Sequence, residues 1–264
     1  MLKDITIGQY IPGDSFVHKL DPRTKILISF IFIASLFIVD KFWGYIFIIA
    51  FLGATVLISK LQFKYLYKGL KPVFLLIAIT AALNIFMIKG TEDTLIWHWK
   101  FLYIYKEGIR TSIFMALRLI LLIMGTSVLT LTTSPIELTD GIESLLKPIK
   151  KIGIPAHELA MMMTIALRFI PTLIDETDKI MKAQKARGAD FESGNIIQKA
   201  KSLIPLLIPL FISSFRRADE LAMAMEARCY RRTRMKILKY SKNDFISFGM
   251  AGVLLVLSIV VRVF

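Results

Sequence analysis

The residues best suited to bind a partner protein are two arginines, each at the centre of a short tripeptide. The tripeptides are Ala186-Arg187-Gly188 and Ala227-Arg228-Cys229. Arginine keeps its charge and offers five N–H donors in a planar fork, which suits carboxylate and carbonyl groups of another protein. A cation at a helix C-terminus also gains about 0.3–1 kcal/mol from the helix dipole, and this would explain either tripeptide alone. Because two occur, 41 residues apart and each after a long amphipathic pattern, we predict a paired docking device.

An acidic cluster offers metal-dependent catalysis as an alternative. Asp175 and Asp178 are three residues apart and share a side of a helix, with Glu176 beside them. Carboxylate oxygens are ligands that Mg²⁺ accepts, so the alternative function is a membrane-embedded, metal-dependent lipid or prenyl transferase. Lys179 and Lys182 lie close by in sequence, however, and a solvated polar helix face accounts for the whole group.

The other reactive side chains stand alone in the sequence. The three histidines, His18, His98 and His157, belong to no metal-binding motif. Cys229 is the only cysteine, so no intrachain disulfide can form, and it has no paired base or second thiol for catalysis. The phosphate-binding loop of ATPases is absent from the sequence. We therefore expect no catalytic residue, no metal site and no cofactor bound by this chain.

The composition indicates a membrane protein. Of the 264 residues, 55% are hydrophobic, the mean hydropathy is +0.62, and soluble domains are typically about 45–50% apolar. A transmembrane helix needs about 20 apolar residues, with a range of about 17–25. Five runs approach or meet this length: Ile26–Val39, Phe42–Ile58, Val73–Ile88, Thr111–Leu131 and Phe245–Phe264. An aromatic, hairpin-like loop follows the third run. We predict an all-α membrane protein with about five transmembrane helices, the first two joined by a tight turn at Asp40-Lys41.

The positive charge is distributed unevenly along the chain. A net charge of +14 could indicate nucleic acid, but in a membrane protein it favours the positive-inside bias and contact with anionic membrane lipid. With the N-terminus inside, the inner segments 1–25, 60–71 and 132–243 hold 27 of the 34 Lys and Arg, against five outside. We predict a cell-membrane protein whose N-terminus and insert are cytoplasmic and whose C-terminus lies outside, with no nucleic-acid partner.

Arg118 lies within an apolar run. A charge at such a position costs at least about 2.5 kcal/mol unless it is paired or reaches the interface, and is by default a candidate functional residue. Two interpretations remain open. Arg118 either pairs with a carbonyl or carboxylate of a neighbouring helix or contacts a substrate or partner.

The sequence divides into residues 1–131, an insert at 132–243 and a last helix at 244–264. The insert predicts a short helix at Glu137–Lys150, a long amphipathic helix from Pro155 to Arg187-Gly188, and another helix from about Ile196 to Arg228. Each of Pro171, Pro205 and Pro209 should bend or break its helix locally. The apolar stripe of the long helix contains four candidates for contact with a partner or with the second helix: Leu159, Met163, Ile170 and Leu173.

Several motifs, in this order, resemble the transmembrane (T) component of energy-coupling factor transporters, a group of ATP-binding-cassette importers. They run over nearly the full length and precede the two tripeptides: Gly8–Ser15, Leu20–Lys25, Leu131–Pro135, Leu145–Pro148 and Arg168–Leu173. The resemblance implies a non-catalytic subunit in a prokaryotic cell membrane, in which two coupling helices form an L or V beneath the membrane.

The resemblance also implies the partners. Each tripeptide would dock in a groove of one of two ATPase subunits, which bind ATP and Mg. A separate integral-membrane S component would bind the substrate, typically a vitamin. Cys229 departs from the family pattern, which commonly has Gly or another small residue there, and so bears on the local backbone. A self-sufficient secondary transporter would show inverted repeats and broken helices, which this sequence lacks.

Overall fold

The structure is a computed structural model. It describes residues 10–88, 95–99, 102–147, 156–189, 191, 195, 197, 201–230 and 238–263. Several predicted features, including Gly8, Pro148, Lys150 and Pro155, lie outside the described residues. The chain forms two compact units, one containing Gly8–Gly141 and Leu238–Phe264 and the other Ile142–Ile237. The predicted domain boundaries at 131 and 243 stay a prediction.

The described elements are nine α-helices, one short 3-10 helix and one β-hairpin. The helices are α1 Pro22–Ile38, α2 Phe42–Ser59, α3 Phe63–Leu70, α4 Phe74–Met87, α5 Lys106–Thr132, α6 Pro135–Leu146, α7 Ala156–Ala186, α8 Ile204–Ala227 and α9 Lys242–Val263. The 3-10 helix Lys71–Val73 joins α3 to α4. The strands β1 Leu95–Trp99 and β2 Leu102–Tyr105 pair antiparallel in the loop predicted to be hairpin-like.

Among the described helices, four are long and apolar enough to cross a membrane. They are α2, α5, α9 and the continuous segment Phe63–Met87 that joins α3 and α4. The first predicted span is α1, which has 17 residues and stands at the lower end of the working range. The Asp40-Lys41 turn is confirmed, since α1 ends at Ile38 and α2 begins at Phe42. Helical membrane architecture is therefore confirmed, with four of about five predicted spans meeting the length and composition of a span.

The core of the first unit lies among α1, α2, α5 and α9. Its buried members include Phe32, Leu36, Tyr45, Ile48, Leu52, Leu121, Val128 and Leu254. Gly125 permits close packing of α5 on α1, because a side-chain carbon there would overlap the Phe32 ring. The apolar runs of the sequence thus form a packed bundle, with their remaining faces outward.

A polar cluster ties the first turn of α1 to two other helices. Asp21 caps α1 by accepting the N–H of Arg23 at 2.9 Å, and the Asp21 N–H donates to Asp244 Oδ1 at 2.9 Å. The Lys25 ammonium donates to the carbonyls of His18 and Thr132 at 3.0 and 2.9 Å. Burial lowers the pKa of Lys25, which precedes the apolar part of α1, while neighbouring carboxylates oppose that shift. The motif Leu20–Lys25 is therefore explained by packing and hydrogen bonding within this unit.

The second unit is built on α7 and α8. The predicted long helix is confirmed as α7, which ends at Ala186 and runs through Pro171 without interruption. The helix predicted from about Ile196 to Arg228 is confirmed over its larger part, and its predicted start at Ile196 lies outside the described residues. The described helix α8 runs from Ile204 to Ala227. Pro205 stands in its first turn, where the missing N–H would have had no helical partner.

Candidate functional site: the paired arginine tripeptides

The first tripeptide ends α7 in a Schellman motif. The Ala189 N–H donates to the Gln184 carbonyl at 3.0 Å and the Gly188 N–H to the Lys185 carbonyl at 3.0 Å. These are the two backbone hydrogen bonds of that motif, with Gly188 at its left-handed position and φ of 87°. The motif leaves Arg187 at the C-cap, the last position before the chain reverses.

The second tripeptide has the same backbone hydrogen bonds. The Tyr230 N–H donates to the Met225 carbonyl at 3.0 Å and the Cys229 N–H to the Glu226 carbonyl at 2.8 Å. Cys229 has φ of 49°, in the left-handed region that glycine occupies in the first tripeptide. Arg228 is therefore the C-cap of α8, as Arg187 is of α7. The departure from glycine leaves this backbone conformation in place, although the side chain of Cys229 makes it less favourable.

Both arginines are exposed. In the described part of the chain neither Arg187 nor Arg228 forms an ion pair. No atom of the described chain would meet a side-chain carbon built on Gly188, and Cys229 is exposed as well. The two guanidinium groups are thus available to acceptors on another molecule.

The helices that carry the tripeptides contact each other through a charged cluster. Arg217 on α8 pairs with Glu176 on α7, with Nη2 2.7 Å from Oε2. The Ser213 hydroxyl donates to the other oxygen of the same carboxylate. Glu176 lies eleven residues before Arg187, and Arg217 lies eleven residues before Arg228. The arginines therefore stand at equal distances along their helices from this contact, about 16 Å at 1.5 Å per residue.

This contact bears on the acidic cluster of the alternative function. Both carboxylate oxygens of Glu176 accept hydrogen bonds from α8, in an ion pair that joins two helices. Among the described residues no group of three His, Cys, Asp or Glu side chains is placed to hold a metal ion. What the geometry assigns to Glu176 is a contact between α7 and α8.

The apolar candidates on α7 face outward. Leu159 and Met163 are 44% and 50% exposed, Ile170 is 36% exposed and Leu173 is half-buried. The first half of α8 carries a second exposed apolar face, which was absent from the predicted site. Its large members are Ile204, Leu207, Ile208, Phe211, Ile212 and Phe215. The unbroken apolar run 203–211 is the sequence signal that could have identified it.

Arg118 pairs within its own bundle. Its Nη2 lies 3.1 Å from the carbonyl of Val39 and 3.5 Å from the carboxylate of Asp40, and its Nε donates to the Tyr45 hydroxyl at 3.3 Å. These partners come from the turn between α1 and α2 and from the start of α2. The described contacts correspond to the structural interpretation, in which Arg118 joins α5 to that turn.

The fold and these surfaces define a multi-pass helical membrane protein with a helix pair that ends in two exposed arginines. The chain belongs to the cobalt transport protein family, CbiQ, whose model matches residues 13–237.

Relatives of known name are similar along almost the whole chain, and each is called energy-coupling factor transporter transmembrane protein EcfT. The protein of Clostridium kluyveri is 70% identical, covering 100% of this chain and 98% of its own length. That of Thermosediminibacter oceani is 60% identical, covering 99% of each chain, and that of Bacillus subtilis is 47% identical, covering 92% and 93%. The predicted resemblance is confirmed: the chain is a member of the transmembrane components of energy-coupling factor transporters.

Proposed function

We propose that this chain is a non-catalytic coupling subunit, linking ATP hydrolysis by two separate ATPase subunits to uptake of a vitamin or other micronutrient through a substrate-binding S component. The observation that carries the proposal is the pair of equivalent helix ends. Each places an exposed arginine at the C-cap of a long helix, and each is followed by a left-handed residue. Two equivalent ends suit two similar ATPase subunits.

The helix ends supply the docking chemistry. Arg187 would engage a groove of one ATPase and Arg228 a groove of the other, through charge-assisted hydrogen bonds to carboxylate or carbonyl oxygens. Such bonds contribute about 1.5–3 kcal/mol each. Within the tripeptides, Ala186 and Ala227 are small residues at the last helical position, so they leave room for a groove wall close to the backbone.

The contact between the helices supplies the mechanical link. Because Glu176 and Arg217 hold α7 against α8, a change in the separation of the two docked ends is passed along both helices. ATP and Mg²⁺ belong to the partner ATPases, whose binding and hydrolysis of ATP supply the free energy. To coupling this chain would contribute protein–protein contacts, with no cofactor of its own.

The apolar faces supply a surface for the S component. Leu159, Met163 and Ile170 on α7 are exposed apolar side chains, with Leu173 beside them. A contiguous apolar surface of this kind is typical of an interface or of membrane contact. The Lys and Arg distribution supports an orientation in which the N-terminus and the coupling helices are cytoplasmic and the C-terminus lies outside.

The test is uptake by the reconstituted complex together with retention of both ATPases during purification. Arg187→Ala or Arg228→Ala should each weaken ATPase docking about tenfold to a hundredfold, from the loss of about 1.5–3 kcal/mol. The Arg→Lys variants should rescue only in part, because a point charge cannot reproduce the fork. Lys179→Ala, an exposed change on the same helix, is the control. Full uptake and full retention in the double Ala variant would refute the proposed docking.

A further inference from the structure

A row of exposed lysines lies along α3 and at the first residue of the following 3-10 helix, where the candidate span Phe63–Met87 begins. Lys64, Lys68 and Lys71 are spaced by four and three residues, so at about 100° per residue they occupy a sector of about 60°. All three are exposed, as is Lys60 at the end of α2. These four lysines, spaced by three or four residues in the sequence, are here called the lysine row.

The opposite side of α3 is packed against the bundle. Leu66 is 1% exposed and belongs to the core cluster. Gly69 approaches α5 closely, since a side-chain carbon there would lie 3.1 Å from the Ser127 hydroxyl. On the same helical projection, Leu66 lies about 170° and Gly69 about 130° from the centre of Lys64, Lys68 and Lys71. The lysine row therefore points away from the protein's own core.

The sequence on either side of the lysine row contains no carboxylate for many residues. The sequence contains no Asp or Glu between Asp40 and Glu92. Within the described ranges none of the four lysines forms an ion pair. Exposed aromatic side chains flank the row: Phe63 is 66% exposed and Tyr67 is 70% exposed. Lysines beside exposed aromatic residues are typical of a helix at the membrane surface.

The length of α4 places the row at the depth of the lipid headgroups. The 14 residues of α4 extend only about 21 Å, less than the roughly 30 Å of the hydrocarbon layer. The remaining length must come from the 3-10 helix and α3, so the apolar stretch ends close to Lys71. Lysine side chains near the end of a span reach the headgroup region with their ammonium groups.

We propose that Lys60, Lys64, Lys68 and Lys71 bind the phosphate groups of anionic phospholipids. The aromatic neighbours would lie at the boundary with the acyl chains, and Leu66 would fix the helix so that the ammonium groups face the headgroups. The proposal goes beyond the coupling function, because the ligand is lipid and the surface contains neither tripeptide.

The experiment measures the binding of phosphatidylglycerol to the delipidated full-length chain by native mass spectrometry, with phosphatidylcholine as the reference lipid. Replacing Lys64, Lys68 and Lys71 by Gln should weaken phosphatidylglycerol binding at least about tenfold. Each lysine near an anionic surface contributes about fivefold, so three would contribute about a hundredfold together, and screening by salt reduces this product. Replacing the same three residues by Arg should preserve the binding, since the charges remain.

A matched control removes three charges from a helix that is not a candidate span. Lys179, Lys182 and Lys185 are exposed and lie on α7. Their combined change to Gln should alter phosphatidylglycerol binding less than about twofold. The proposal is overturned if the α3 Gln variant binds phosphatidylglycerol as the unmodified chain does, or if the control variant loses as much. The single Lys→Gln variants, each about fivefold weaker or less, provide the same comparison should the triple variant fold poorly.

Discussion

The contact between Glu176 and Arg217 allows the coupling mechanism to be tested apart from docking. Its atoms lie 2.7 Å apart, and the side chains are 22% and 34% exposed. A fully exposed pair contributes about 0–1 kcal/mol and a hydrogen bond to a charged group about 1.5–3 kcal/mol. For this partly exposed pair we expect a coupling energy of about 1 kcal/mol. That energy corresponds to roughly a fivefold change in the equilibrium between helices held together at this contact and helices that have separated there.

The variants are Glu176→Arg, Arg217→Glu and the double exchange. Each single change places like charges opposite each other and should loosen the contact, whereas the exchange restores an ion pair with reversed direction. The matched control is Asp175→Arg, which reverses a neighbouring exposed carboxylate. It should leave the contact intact, because the described ion pair involves Glu176 and not Asp175.

The assay is the distance between spin labels at Ala183 and Ala224, in a Cys229→Gly background. Both positions are exposed, and each lies seven residues beyond its partner in the ion pair. At 1.5 Å per residue each label stands about 10 Å along its helix from the ion pair. A 20° change in the angle between α7 and α8 therefore moves one label by about 3 Å or slightly more relative to the other. The single variants should broaden the distance distribution and transport less substrate per ATP, and the exchange should restore both.

Two outcomes would refute this reasoning. One is a distance distribution that stays narrow in both single variants, which would mean that other contacts fix the angle between α7 and α8. The other is a broadened distribution with unchanged substrate transport per ATP, which would mean that a fixed angle is unnecessary for coupling. Neither outcome would affect docking by Arg187 and Arg228, because ATPase retention is measured separately.

The remaining predictions concern the left-handed residue and the arginine within the span. Cys229→Gly should stabilise the helix end by about 1 kcal/mol, because a side-chain carbon disfavours positive φ, and Gly188→Ala should destabilise its helix end by a similar amount. Thermal unfolding of the purified chain and ATPase retention measure both effects. Unchanged values in both variants would contradict this prediction. Arg118→Leu should lower the free energy of unfolding by about 1–3 kcal/mol, because it removes the donors to Val39 and Asp40. Arg118→Lys should be intermediate. A Leu variant as stable as the unmodified chain would show that the described contacts are dispensable.

Features set by local sequence were predictable. The end of α7 follows from Arg187-Gly188, since glycine readily adopts the left-handed residue of a Schellman motif. The turn at Asp40-Lys41 follows from the polar break between two apolar runs. The spans follow from uninterrupted hydrophobic length, because a bilayer admits little else. In each case, the signal lies within a few residues of the feature or within one continuous run.

Features set by distant contacts were not predictable in the same way. The pairing of Glu176 with Arg217 joins residues 41 positions apart, and no local pattern distinguishes Glu176 from its acidic neighbours. For Arg118 the sequence left two interpretations, because the partners come from a turn more than 70 residues earlier. The left-handed conformation of Cys229 also runs against local preference. At Cys229 the hydrogen bonds of the helix end determine the backbone conformation, and the residue type does not.

Pairing distinguishes the roles of the cations in this chain. Arg118 and Arg217 each bond to groups on another element of their own unit, where an arginine stabilises the fold. Arg187, Arg228 and the lysine row have no such partner within the described ranges. An unpaired cation is tolerated where water, a lipid phosphate or a partner's oxygen can solvate it, and it is costly in hydrocarbon. We therefore propose that the unpaired cations mark the surfaces on which this chain meets other molecules: protein at the two helix ends and lipid along the lysine row.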